Sequence, residues 1–259
     1  MKFTGKNVLN IILKMLFVYI CIELFSWLSY NLIYDKKCDL ISKHEYKGSK
    51  KGKTLLIIGS VHGDEPAGHL ALLVLKKKLD SGKIKINRGK IIIIPTPNYC
   101  GLQYNYRVRP GFIDINRGFP TTKNGKSSSI NNKLIVKYIK ESKPDFILDF
   151  HEAYYFHRRN LSSYGSYLIT NKNCSGNVSN VAKKCKLNIN RFIKEYYKKW
   201  DITNNIQNSE GSLRNYAKLH NMDYLLIETV GQRNMEKIEI RIKINLIIMK
   251  ITMKSLNLI

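Results

Sequence analysis

A chain of 259 residues that is 44% hydrophobic can bury one sizeable core, with little room for a second full domain beside it. Its 44 Lys and Arg against 19 Asp and Glu give a formal net charge of +25, a field that favours acidic partners. Lys, Asn and Ile are spread along the whole chain, no basic stripe is interleaved with aromatics, and no helix-turn-helix or RNA-binding signature occurs, so no nucleic-acid partner is expected.

The first element is apolar. Residues 15–33 carry one formal charge, Glu23, behind Lys2, Lys6 and Lys14, with Trp27, Tyr30 and Tyr34 placed as interfacial aromatics. Residues 1–34 therefore read as an uncleaved signal anchor or transmembrane segment of open orientation, with the membrane as a partner. The alternative is an amphipathic helix docked on the domain or lying on a membrane surface. A polar stretch, 35–53, reads as a linker, and 54–259 as one domain.

Within 54–259, short Ile- and Leu-rich runs alternate with amphipathic stretches, the signature of an α/β domain with buried strands. Strands are expected at 54–59, 91–94, 146–150 and 224–227. A helix is expected over 66–79, with Leu70, Leu73, Val74 and Leu75 facing the core and Lys76 to Lys78 near its C-terminus. Residues 127–132 read as a loop and 133–141 as a helix, punctuated by Pro144. Further helices are expected near 178–185 and 212–219. In the tail, Ile238, Ile240, Ile242 and Ile244 alternate as in a strand, yet the later apolar positions fit a helix equally.

The chemistry follows the strands. The first runs into Ser60-Val61-His62-Gly63-Asp64-Glu65, the third into His151 and the fourth into Glu228. In open α/β sheets, ligands bind outside the carboxyl ends of the strands, so three strands deliver His or Glu to one edge. A catalytic zinc takes three protein ligands and keeps one open position, and two His with one Glu is an established set. No CxxC pair occurs among the five cysteines, so any metal must fall to such residues. His62 and Glu65 sit three apart on a turn into a helix; Gly63 relaxes the backbone between them and Pro66 suits the first helical turn. His151 would close the site, and Asp149, on the same face of its strand, could orient a ligand imidazole. Glu228, if not a ligand, can serve as general base. Taken singly, each has a bland reading: an HxxE arises by chance, a strand-end histidine can be structural, and a glutamate can simply flank a strand. Convergence on one edge outweighs those readings.

Between Pro95 and Pro120, the sequence PTPNYCGLQYNYRVRPGFIDINRGFP places Arg107, Arg109, Asp114, Asn116 and Arg117 in a loop after a strand. Guanidinium forks match carboxylates, although a solvated basic loop is the bland alternative.

These motifs resemble the zinc metallocarboxypeptidases and their succinylglutamate desuccinylase/aspartoacylase branch. HGDEPAG from His62 resembles the first metal motif, Asp114-Ile-Asn116-Arg117-Gly-Phe119-Pro120 the DLNRxFP motif, and Asp149-Phe-His151-Glu152 the DLHE motif. Glu228 falls where the catalytic glutamate is carried. The resemblance covers roughly 54–232. It implies a three-layer α/β fold, a mixed, mostly parallel sheet flanked by helices. It also implies that His62, Glu65 and His151 bind one Zn2+ and that Asn116 and Arg117 grip a substrate carboxylate. Arg109 would polarise the scissile carbonyl, with Arg107 as its rival. The family's substrate-side tyrosine has three candidates: Tyr154, Tyr155 and Tyr164. Pro95, Asn98, Gly101 and Leu102 resemble the carboxypeptidase NPxGL segment, interrupted by Tyr99 and Cys100. About thirty residues follow Glu228, whereas the acylase branch usually carries a further C-terminal domain.

The expectation is a zinc hydrolase domain over 54–259 that cuts an amide bond next to a free carboxylate, acting on a small peptide. An N-acyl amino acid deacylase on the same machinery is the first alternative, and a catalytically inactive binding protein of the same fold is the second.

Overall fold

The structure is a computed structural model that describes residues 5–33, 38, 40–108, 113–172, 174–207 and 209–259. Its contacts divide the chain into two units, Met1–Cys38 and Asp39–Ile259.

The first unit holds helix α1 (Gly5–Ile33), whose described side chains, 11–26, are exposed. Lys2 and Tyr34 lie outside the described residues. Among the described residues, no helix is long and apolar enough to cross a membrane. This overturns the expected spanning anchor over 1–34 and the single-pass membrane location, and it leaves the membrane partner without support. Glu23 interrupts the apolar run 15–33, which falls just short of the ~20 predominantly apolar residues that a bilayer core requires.

In the second unit, seven strands form one sheet: β1 (His44–Lys47), β2 (Lys50–Gly59), β3 (Arg88–Ile94), β4 (Phe146–Ala153), β5 (Tyr167–Ile169), β6 (Asp201–Thr203) and β7 (Tyr224–Val230). Their order is β1-β3-β2-β4-β7-β5-β6. The run β3-β2-β4-β7 is parallel, β1 pairs antiparallel with β3, β5 antiparallel with β7, and β6 parallel with β5. The sheet is therefore mixed and mostly parallel, as expected. Residues 44–47 and 50–53 correct the expected linker, because they are already sheet. At the edge, β1 (His44-Glu45-Tyr46-Lys47) alternates half-buried and exposed residues, so its polar face reads as a linker in sequence.

Alternation in the central strands builds a core on each face. Leu55 and Ile57 of β2 point to one side, where they meet helices α2 (Pro66–Asp80), α5 (Gly176–Asn190) and α7 (Ile238–Ser255). Leu56 and Ile58 point to the other, against α4 (Ile130–Ser142) and α6 (Leu213–Leu219). A short helix, α3 (Tyr99–Tyr104), follows β3. Each fully buried Leu or Ile contributes roughly 1.5–3 kcal/mol, so both faces hold the sheet firmly.

Three local expectations change. In α2 the buried residues are Ala67, Gly68, Ala71, Leu72, Leu75 and Leu79, whereas Leu73 and Val74 are exposed, so the buried stripe is rotated from the expected one. Helix α4 starts at Ile130 inside the expected loop, because the Ser129 hydroxyl accepts the Asn132 N–H (3.1 Å) as an N-cap. The tail is helical: Ile244, Ile248, Met249, Thr252 and Met253 share a buried face at helical spacing, and that packing overrides the strand preference of isoleucine.

The topology sets the site. Strands β2, β4 and β7 are neighbours, and their register aligns Gly59 with Phe150 and His151 with Glu228. Their carboxyl ends open on the same edge.

Candidate metal centre and active site

At the end of β2 the chain turns through Ser60, whose φ of 44° lies in the left-handed region. The Ser60 hydroxyl donates to the Glu65 carbonyl (2.7 Å) and closes the turn. Gly63 is required there by a close approach. A Cβ at this position would lie 1.9 Å from the Gly101 carbonyl carbon of α3. Steric closeness, beyond the conformational freedom inferred from sequence, thus explains this glycine.

The turn brings His62 and Glu65 to His151. His62 Nδ1 lies 2.8 Å from Glu65 Oε1, His151 Nδ1 lies 2.9 Å from Glu65 Oε2, and the two Nδ1 atoms are 3.2 Å apart. All three residues are buried, and their ligand atoms lie within 4.8 Å of one another. Each ring turns its other nitrogen to a carboxylate. His62 Nε2 is 3.1 Å from Asp114 Oδ1, and His151 Nε2 is 3.3 Å from Asp149 Oδ2. Tyr224 donates its hydroxyl to that same Asp149 oxygen (2.6 Å), fixing the carboxylate. Asp114 hydrogen-bonds the His62 ring from behind and Asp149 makes an ion contact with the His151 ring, a placement of carboxylates like that found behind metal-ligating histidines.

The electrostatics point the same way. Burial opposes charge on His62 and His151, but Glu65 with Asp114, and Asp149 with Glu65, raise their pKa values above the ordinary one. Burial also opposes the Glu65 charge, yet the two rings hold its carboxyl well below the usual range. The cluster stabilises positive charge at its centre.

A cavity of about 290 Å³ opens on these residues. Glu228 lines it, partly exposed, and its carboxylate has no hydrogen-bond partner among the described residues. Burial pushes that carboxyl up to about 8, with His151 opposing. Arg107 also lines the cavity, but its guanidinium donates to Glu65 (3.3 Å) and Asp114 (3.2 Å). Arg109 lies outside the described residues. Asn116 is buried and its side-chain oxygen accepts the Leu213 N–H (2.9 Å), while Arg117 is exposed at the wall and donates to the Asn116 carbonyl (2.7 Å). Of the three tyrosines, Tyr154 and Tyr164 line the cavity; Tyr155 accepts a hydrogen bond from Arg233.

Sequence reasoning missed Arg214. It is 5% exposed, lines the cavity and donates to the Thr170 carbonyl (3.0 Å). Nothing marks it in the sequence, since an arginine in the first turn of a short helix reads as a surface residue. Tyr224 was missed too, because a tyrosine opening a buried strand reads as core.

The seven-stranded mixed sheet flanked by helices is an α/β fold shared with solved structures of low sequence identity. Within it, residues 51–157 match the model of the succinylglutamate desuccinylase/aspartoacylase catalytic domain. Among solved structures, the chain is similar to the tripeptide-bound cell shape determinant Csd4 from Helicobacter pylori, at 17% identity and TM-score 0.70, covering 85% of this chain and 56% of that one. A succinylglutamate desuccinylase/aspartoacylase from Rhodobacter sphaeroides follows at 19% identity and TM-score 0.62, covering 85% and 59%. The product-bound ectoine utilization protein EutE (DoeB) from Ruegeria pomeroyi matches at 16% and 0.61, covering 83% and 60%. The chain thus spans less than two thirds of each of these structures. No curated protein sequence matches it.

Proposed function

We propose that the unit Asp39–Ile259 is a zinc-dependent hydrolase that cleaves an amide bond next to a free carboxylate. One observation carries this reading: two imidazole Nδ1 atoms and the Glu65 carboxylate face one point, with a carboxylate behind each ring. Two His and one Glu fit zinc and leave a position open, so His62, Glu65 and His151 would hold one Zn2+. When bound, the metal supplies a Lewis acid that polarises a carbonyl and acidifies water.

The chain's own residues do the rest. Glu228 faces the cavity beside His151 and takes the proton of the attacking water, then returns it to the leaving amine. Asn116 and Arg117 form the wall that receives the substrate carboxylate, with Arg214 adding positive charge deeper in the cavity. The engagement of Arg107 by Glu65 and Asp114 supports Arg109 as the carbonyl-polarising residue.

The substrate is a small peptide or an acyl amino acid. A structure of Csd4 is described as that of a D,L-carboxypeptidase, and the fold likeness to it favours a peptide. The match over 51–157 favours the N-acyl amino acid deacylase reading instead. Zinc-loaded protein assayed on dipeptides, N-acyl amino acids and their carboxyl-amidated forms separates the two. Cleavage of one free-carboxylate class, with the amidated form at least tenfold slower, is expected. Equal cleavage of the amidated forms would contradict the carboxylate requirement.

A further inference from the structure

Glu65 occupies the N-cap position of α2 but makes no side-chain cap hydrogen bond, because its carboxylate turns into the metal site. A helix N-terminus leaves orphan N–H groups, and Pro66 at the first position removes one of them. The next N–H, that of Ala67, is satisfied from another strand: it donates to Glu152 Oε1 (2.6 Å). Glu152 is 3% exposed and follows His151 on β4. Its own N–H donates to Glu65 Oε2 (3.0 Å), the oxygen that faces His151. Its second carboxylate oxygen pairs with Arg241 of α7, itself 4% exposed. Gly231, just past β7, leaves the space for this pair. A Cβ there would lie 1.3 Å from Glu152 Oε2 and 2.1 Å from Arg241 Nη1.

From this geometry we infer that Glu152 caps α2 in place of Glu65 and so frees Glu65 to act as a ligand, and that Arg241 is the positioning residue that holds Glu152 to that task. The inference rests on the metal-site reading. A buried carboxylate without its partner is costly, so loss of Arg241 drives Glu152 from the cap. The orphan N–H groups of α2 then compete for the Glu65 carboxylate. A neutral glutamine at 152 keeps a carbonyl oxygen for Ala67 and needs no cation beside it.

The test is zinc affinity, read by chelator competition, with circular dichroism as the check on folding. Loss of groups that orient metal ligands typically lowers affinity about 10–100-fold, and Arg241→Met and Glu152→Ala should each fall in that range. The double variant Glu152→Gln/Arg241→Met should return to within about threefold of wild type, a shift well below that range. Glu152→Ala/Arg241→Met should stay low. A folded Glu152→Ala with wild-type affinity overturns the proposal. If Glu152→Ala does not fold, equal affinities for Arg241→Met and the glutamine double variant overturn it instead. Failure of the metal-site reading itself is separate: wild-type protein would then bind no zinc, or His62→Ala would bind it as tightly as wild type.

Discussion

His62, Glu65 and His151 are each at most 3% exposed, whereas Arg107 is 38% exposed and Arg117 is exposed, although all five face one cavity. The metal cluster hangs from strand ends and one tight turn, and hydrogen bonds or ion contacts fix each donor from behind. The wall arginines, Arg107 and Arg117, hang from the segment after β3, Arg107 leaning on Glu65 and Asp114 and Arg117 donating to the Asn116 carbonyl. A donor set must be in place before the ion arrives, since reorganising buried charges is costly. A carboxylate clamp can complete itself around its substrate. Changes to the cluster should therefore act almost as on–off events, and changes to the wall should be graded.

Glu228 tests the boundary between the two, because it lines the cavity without being proposed as a ligand. Glu228→Gln keeps shape but cannot accept a proton. Turnover should fall about 10²–10⁴-fold at unchanged zinc content. Loss of zinc in this variant would move Glu228 into the donor set, and near-full turnover would take the base role away from Glu228.

The wall should respond less. Arg117→Ala removes a charge-assisted contact to the substrate, so kcat/KM should fall about 10–100-fold, mostly through KM. Arg107→Ala should act differently, on zinc affinity, because its guanidinium touches Glu65 and Asp114. Equal KM effects in both variants would erase the distinction between wall and cluster.

The smallest effect concerns stability. Burial pushes the Glu228 carboxyl up to about 8, above its ordinary value of 4.5. Folding therefore takes up a proton, and the associated stability is complete below the ordinary value and lost as pH rises through about 8. Glu228→Gln removes that loss. With a chelator present, its Tm should exceed wild type by a few degrees above pH 8 and match it near pH 5; a variant of lower Tm at both would contradict the carboxyl's placement.

Much of the cluster was legible because short-range spacing and strand ends determine it. His62 and Glu65 share one turn, and His151 and Glu228 each follow an apolar run on adjacent strands. The cores of β2, β3, β4 and β7 were visible for the same reason, as continuous apolar runs. What escaped depends on tertiary partners. Strand β1 is polar on its outer face, and β5 and β6 have three residues each, too short for a period to show. Helix α7 carries isoleucines that prefer strands and is helical because one face packs against α2 and α5. Arg214 and Arg241 look like surface residues until the fold buries them. The apolar content of 15–33 resembles that of a membrane anchor, although Glu23 sits in its middle.

Zinc stoichiometry in the wild type and in a His62→Ala/His151→Ala double variant tests the account most directly. Elemental analysis should give one zinc per wild-type chain. The double variant, folded by circular dichroism, should retain none and show no hydrolysis. A folded double variant that still holds one zinc per chain would contradict the metal assignment, and the proposed hydrolase would fall with it.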